Sequence, residues 1–87
     1  MLVLYIAPNE LEGTRVGITV SRRVGNAVVR NRVRRRLREA LRARFSHLSP
    51  GSDVLVVARP ASAQATWAEL NAALDTLLQR AGATQGV

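Results

Sequence analysis

Cysteine is absent from this chain of 87 residues, and so is lysine. Without cysteine there is no disulfide, no thiolate nucleophile and no Cys-based zinc site. His47 is the only histidine, which removes a histidine-rich metal centre as well. Aromatics are scarce, with Tyr5, Phe45 and Trp67 the sole member of each kind. Acidic residues number 6 against 13 basic ones, for a formal net charge of +7. No apolar run reaches the roughly 18 residues a membrane-spanning helix needs. No basic segment precedes the apolar residues 2–7, so the N-terminus does not read as a signal peptide. What remains is a small chain, expected to be soluble and cytoplasmic, whose one compositional excess is arginine.

Every basic side chain is therefore a guanidinium, a planar fork of donors that suits phosphate and stacks on bases. A GC-rich genome would also replace lysine by arginine, and the charge argument holds under either origin. Hydrophobic residues make up 47% of the chain, so disorder along its whole length is not expected. A domain of this size buries only about 60–65% of the surface its unfolded chain exposes. One small core in a single domain over residues 1–87 is the expectation.

Residues 2–7 form a short apolar run that reads as a strand, with Leu2, Leu4 and Ile6 on one face and Val3, Tyr5 and Ala7 on the other. A turn over residues 8–13 follows. Residues 15–21 alternate, placing Val16, Ile18 and Val20 together. These two strands are expected to pair as an antiparallel hairpin. Asn26 is a candidate N-cap for a helix running to about Arg44. Residues 53–58 lack clear alternation and suit a strand buried on both faces. The spacing of Thr66 and Glu69 matches a capping box that starts the last helix. Its apolar stripe is Trp67, Leu70, Leu74, Leu77, Leu78 and Ala81, and Gly82 is a stop signal before a frayed tail over residues 83–87. The order β-β-α-β-α predicts an α+β fold, a two-layer sandwich with helices on one face of a small sheet.

Arginine is concentrated in the first helix. Arg30, Arg32, Arg34, Arg35, Arg36 and Arg38 fall within residues 30–38. At about 100° per residue, Val29, Val33, Leu37, Ala40 and Leu41 share one side. Asn31, Arg34, Arg35, Arg38 and Arg42 share the opposite one, and Arg30, Arg32 and Arg36 flank the stripe. Cations at helical neighbour spacing repel one another, and only Glu39 offsets them in the helix interior. Such a face points to an extended polyanion, RNA first. Asn31 reads by itself as either a tolerated surface residue or a directed hydrogen-bonding group.

Residues 25–39, GNAVVRNRVRRRLRE, resemble the signature of the bacterial ribonuclease P protein subunit family, which has the form G-N-A-V-x-R-N-R-hydrophobic-[KR]-R. The resemblance extends to residues 15–23 before the motif, and to residues 54–60 and 66–70 after it. In all it covers nearly residues 2–81.

The resemblance implies a protein that joins a large catalytic RNA and assists removal of 5′ leaders from precursor tRNA. Chemistry then belongs to the RNA and its magnesium ions, and the protein binds no cofactor and supplies no catalytic residue. Arg30, Asn31, Arg32, Arg34, Arg35 and Arg38 match motif positions that bind RNA, and Arg22 and Arg23 match a basic pair ahead of them. Tyr5, Arg15 and Ser21 match a cleft that holds the leader. Tyr5 alone reads equally as a packing aromatic, whereas Phe45 and Trp67 are expected in the core and His47 in solvent. The implied fold is similar to the ribosomal protein S5 domain 2-like fold, with a left-handed βαβ crossover. Family members carry a helix and a strand segment ahead of residue 2, which this chain is expected to lack. One sheet face should then expose apolar residues such as Val3 and Ala7. The partners implied are the catalytic RNA and the precursor tRNA leader, with no membrane and no small-molecule substrate.

Three other readings compete. A general structured-RNA-binding or ribosomal-type protein would use the same basic face without processing activity. A basic amphipathic helix also suits a membrane surface, but this apolar stripe is narrow, lacks aromatics and is needed by the core. A self-sufficient nuclease lacks a convergent carboxylate or histidine cluster in this sequence.

Overall fold

The computed structural model describes residues 1–10 and 13–82. The main elements are β1 (Leu2–Pro8), β2 (Arg15–Val20), α1 (Ala27–Arg44), β3 (Ser52–Ala58) and α2 (Trp67–Arg80). Three 3-10 turns, Arg22–Val24, Phe45–His47 and Pro60–Gln64, join them. The expected β-β-α-β-α order is present. Residues 11 and 12 of the expected turn and the tail over residues 83–87 lie outside the described residues.

Strand pairing departs from the sequence expectation. β1 and β2 do not form a hairpin, because β3 lies between them in the order β1-β3-β2. β1 runs antiparallel to β3, with Tyr5 opposite Leu55, and β2 runs parallel to β3, with Gly17 opposite the same Leu55. The connection between residues 8 and 15 is long enough for this. Stepping over one strand spans about 10 Å, well within the reach of six residues. β3 is Ser-Asp-Val-Leu-Val-Val-Ala, and its apolar β-branched run suits the central position. The β2–α1–β3 unit is the parallel crossover that the sequence suggests.

Both helices cover the same face of the sheet, α1 over β2 and α2 over β1. That face carries Leu2 from β1, Val20 from β2, and Val54, Val56 and Ala58 from β3, all buried. Val33, Leu37, Ala40 and Leu41 of α1 and Leu70, Leu74 and Leu78 of α2 complete one aliphatic core. β3 is not buried on both faces as its sequence suggests. Its burial alternates, and Leu55 is 38% exposed on the side away from the helices, where no second helical layer lies among the described residues. On that same open face Ala7 is exposed, as expected, whereas Val3 is half-buried.

Two aromatics expected in the core are outside it: Phe45 is 50% and Trp67 46% exposed. Phe45, just past the end of α1, lies roughly 100° from the centre of that helix's buried stripe. Trp67 is in phase with Leu70, Leu74 and Leu78 but is the first residue of α2, at the end of the stripe. Both flank the core without entering it. His47 is exposed, as expected.

Candidate nucleic-acid interface

Local chemistry fixes where α1 begins. The Asn26 Oδ1 accepts a hydrogen bond from the Val29 N–H at 3.0 Å, the capping role its position suggests. A Cβ added to Gly25 would come within 2.9 Å of the Val29 Cβ, so only glycine lets the chain enter the helix this closely. Just upstream, the Ser21 Oγ accepts from the Arg23 N–H at 3.2 Å, and the Ser21 N–H donates to the Ala58 carbonyl at 3.1 Å. Ser21 thereby caps the turn that presents Arg22 and Arg23 to solvent, while Val24 anchors the turn in the core.

α1 holds eight arginines and one glutamate, and the structure sorts them by task. On the side facing α2, Arg32 donates to the Ala63 carbonyl at 3.3 Å and Arg36 to the Ala65 carbonyl at 3.4 Å. Arg44 sits at the end of the buried stripe, with its side chain 17% exposed. It donates to both oxygens of Asp75, from Nε at 2.6 Å and Nη2 at 3.1 Å, and to the Ala40 carbonyl at 2.8 Å. These three are tethers. Arg30 is half-buried, and its Nε is buried with no hydrogen-bond partner among the described residues. On the outer face, Arg34 donates to the Asn31 Oδ1 at 3.0 Å. That contact orients the Asn31 amide, so its NH2 group is available to a partner. Arg35, Arg38 and Arg42 are exposed and make no hydrogen bond to protein among the described residues. Arg34, Arg38 and Arg42, one turn apart, border a groove between α1 and β2.

A second surface is the open sheet face. Tyr5, 59% exposed, stands in a cross-strand row with Leu55 and Gly17. A cavity of about 410 Å³ at one end of this face is lined by Tyr5, Ser21, Arg23 and Arg59, among others. The geometry therefore brings together Tyr5 and Ser21, both predicted for the leader cleft, and joins Arg23 to them. Arg15 is not in that cavity. It lies at the other end of the face, paired with Asp53 through Nε at 2.8 Å and Nη2 at 2.7 Å. Asn9 donates to the same carboxylate at 2.9 Å. The sequence pattern gives no site role to Arg59 or Phe45, and it places Arg42 on the basic face without matching it to a motif position. Arg59 carries only the weak signal of a basic residue at a strand end; Arg42 lies on the motif's face but beyond the motif.

Three acids are engaged by partners away from the outer face of α1. The hydrogen bonds from Arg15 and then Asn9 hold the Asp53 carboxyl below the usual carboxylate range. Arg44 does the same for Asp75, and the Thr66 backbone N–H for Glu69. Among the described residues, no three His, Asp or Glu side chains gather in one place. The surface presents guanidinium groups in an array, which bind phosphates and bases. Among the described residues no helix is long and apolar enough to cross a membrane.

Comparison with known proteins agrees with this geometry. The Ribonuclease P family model matches residues 1–82. The ribonuclease P protein component of Roseiflexus castenholzii is 48% identical, over 99% of this chain and 71% of that protein. The corresponding protein of Clostridioides difficile is 41% identical, over 91% of this chain and 70% of its own length. Among solved structures, the Staphylococcus aureus RNase P protein superposes with a TM-score of 0.86 at 33% identity, covering 97% of this chain and 77% of that one. The Thermotoga maritima RNase P protein gives 0.81 at 28% identity, covering 91% and 76%. With motif, fold and relatives in agreement, the chain belongs to the bacterial ribonuclease P protein family.

Proposed function

We propose that the protein serves ribonuclease P through two surfaces, the outer face of α1 for the catalytic RNA and the open sheet face for the 5′ leader of precursor tRNA. As the protein component of an endoribonuclease it assists the RNA subunit in maturing tRNA 5′ ends. In this reading it acts in the cytoplasm, and the hydrolytic chemistry belongs to the RNA and the magnesium ions that RNA holds. The protein's own residues bind and position.

The observation that carries the reading is the sorting of arginines on α1. Arg32, Arg36 and Arg44 fasten the helix to the fold. Arg35, Arg38 and Arg42 are left exposed, and Arg22 and Arg23 extend the basic surface past the helix start. Such an array has a high electrostatic cost in isolation and is complementary to a phosphate backbone. Arg22, Arg34 and Asn31 add directional donors. On the sheet face, Tyr5 offers an aromatic platform for an unpaired leader base, with Ser21, Arg23 and Arg59 beside it. Arg15, already engaged by Asp53, takes a supporting place at the far end of that face.

The test is cleavage of precursor tRNA by the catalytic RNA of ribonuclease P at low magnesium, with and without the protein. Stimulation by the wild-type chain is expected. The double variant Arg35→Ala, Arg38→Ala should bind the RNA more weakly, with a salt slope flatter by roughly 0.7–0.9 for each lost phosphate contact. An unchanged slope would remove α1 from the contact surface. Equal affinity for unrelated structured RNAs would favour a general RNA-binding role instead.

A further inference from the structure

We propose that the groove between α1 and the edge strand β2 receives one unpaired nucleobase of the RNA partner, stacked on Phe45 with its neighbouring phosphates on Arg38 and Arg42. The inference rests on α1 being an RNA-binding helix and adds a specific ligand site to it.

The groove has a volume of about 610 Å³. Its floor is apolar, made by Val16 and Ile18 from β2 and Leu41 from α1, with the half-exposed ring of Phe45 closing one end. Its rim is cationic. Arg34, Arg38 and Arg42 follow one another at four-residue intervals, a rise of about 6 Å per step along the helix. Neither feature alone selects a ligand, but together they do. A free phosphate leaves the apolar floor unmatched, and an apolar peptide leaves three guanidinium groups unmatched. A nucleotide places a flat, largely apolar base beside an anionic phosphate, which fits floor and rim at once. A base within a duplex has both faces covered by its neighbours, so the occupant is an unstacked one.

Phe45 supplies the second line of argument. The core of this protein is wholly aliphatic, and all three aromatics stand outside it. With aromatic side chains so few, half of a phenylalanine left in water beside three arginines is a binding feature. Tyr5 plays the equivalent part on the opposite face of the sheet, so the two aromatics address different RNA segments.

The experiment uses the full chain bound to the catalytic RNA of ribonuclease P. Dissociation constants are measured across a salt series for wild type, Phe45→Ala, Phe45→Tyr and Arg38→Ala, and the wild-type complex is irradiated to map crosslinks from Phe45. Phe45→Ala should weaken binding about tenfold, as loss of one base–aromatic stack does, with an unchanged salt slope. Phe45→Tyr should retain affinity, Arg38→Ala should flatten the slope, and the crosslink should fall on a single unpaired nucleotide. Phe45 is exposed enough that its thermal midpoint should stay close to wild type in either variant. If Phe45→Ala binds as well as wild type while Arg38→Ala loses slope, the groove site is overturned and the α1 reading stands. If wild type itself binds without salt dependence, both fall. If Phe45→Ala abolishes self-association in sedimentation yet leaves RNA affinity intact, the groove holds a second copy of the chain and the nucleobase is excluded.

Discussion

Tyr5 and Phe45 show how much a single side chain's angle on its element decides. Tyr5 lies on the strand face opposite Leu2 and Leu4, so the two-residue period of β1 turns it away from the helices. Because the ring is already mostly in solvent, Tyr5→Ala should leave urea stability almost unchanged. It should weaken binding of precursor tRNA by roughly 1–3 kcal/mol if one leader base stacks there, and leave mature tRNA unaffected. Equilibrium binding of the two substrates to the assembled particle checks this; equal losses for both would remove Tyr5 from the leader. Gly25 makes the opposite case, a residue with no side chain whose substitution matters to folding. Gly25→Ala sets a methyl 2.9 Å from the Val29 Cβ. The start of α1 must shift to relieve that overlap, at a cost of about 1–3 kcal/mol in urea unfolding. Both roles follow from register and close approach. The motif flags Gly25, but no sequence pattern states how near Val29 comes.

At the scale of elements, the helices were legible and the sheet only partly so. Asn26, Thr66 and Glu69 marked helix starts because capping is local chemistry between residues three apart, and the reciprocal Thr66–Glu69 hydrogen bonds are present at 3.1 and 2.8 Å. Gly82 marked the end of α2 correctly, taking φ 67° with its N–H donating to the Gln79 carbonyl. Strand pairing is not local. Residues 2–7 and 15–21 are adjacent in sequence and look like a hairpin, but β3, some 30 residues further on, outcompetes β2 for the β1 edge. What joins α1 to α2 was equally illegible, since Arg44 and Asp75 are far apart in the chain. That pair sets a pH dependence. The Asp75 carboxyl is held below its ordinary value by Arg44, so its contribution is fully present at neutral pH. It is lost as pH falls below the ordinary carboxylate value of about 4. Asp75→Asn should lower stability at pH 7 by about 1 kcal/mol or less, because the carboxylate itself is well exposed and solvent screens it. The gap between variant and wild type should close towards pH 3. Thermal melts of both proteins across that window check it, and a constant gap would show that Asp75 contributes through something other than its charge.

Across the whole molecule, the net charge of +7 is matched by α1 alone, with its eight arginines and one glutamate. The α1 tethers of Arg32, Arg36 and Arg44 neutralise little of this, because only Arg44 meets a carboxylate. Repulsion along the exposed row therefore opposes folding of the free protein, and dissolved salt screens it over a Debye length of about 10 Å at 0.1 M. The same salt competes with phosphate contacts and weakens RNA binding. Free-protein stability and RNA affinity should thus respond to salt with opposite sign. Between low salt and 0.2 M sodium chloride, the thermal midpoint of the free chain should rise while its affinity for the catalytic RNA falls. Arg35→Gln with Arg38→Gln should flatten both responses together, raising the low-salt midpoint and reducing the salt slope of binding. Calorimetry and a binding titration on the same samples decide this. A free protein whose midpoint is indifferent to salt, or a double variant that changes one response only, would mean that repulsion on α1 and recognition of RNA are not carried by the same arginines.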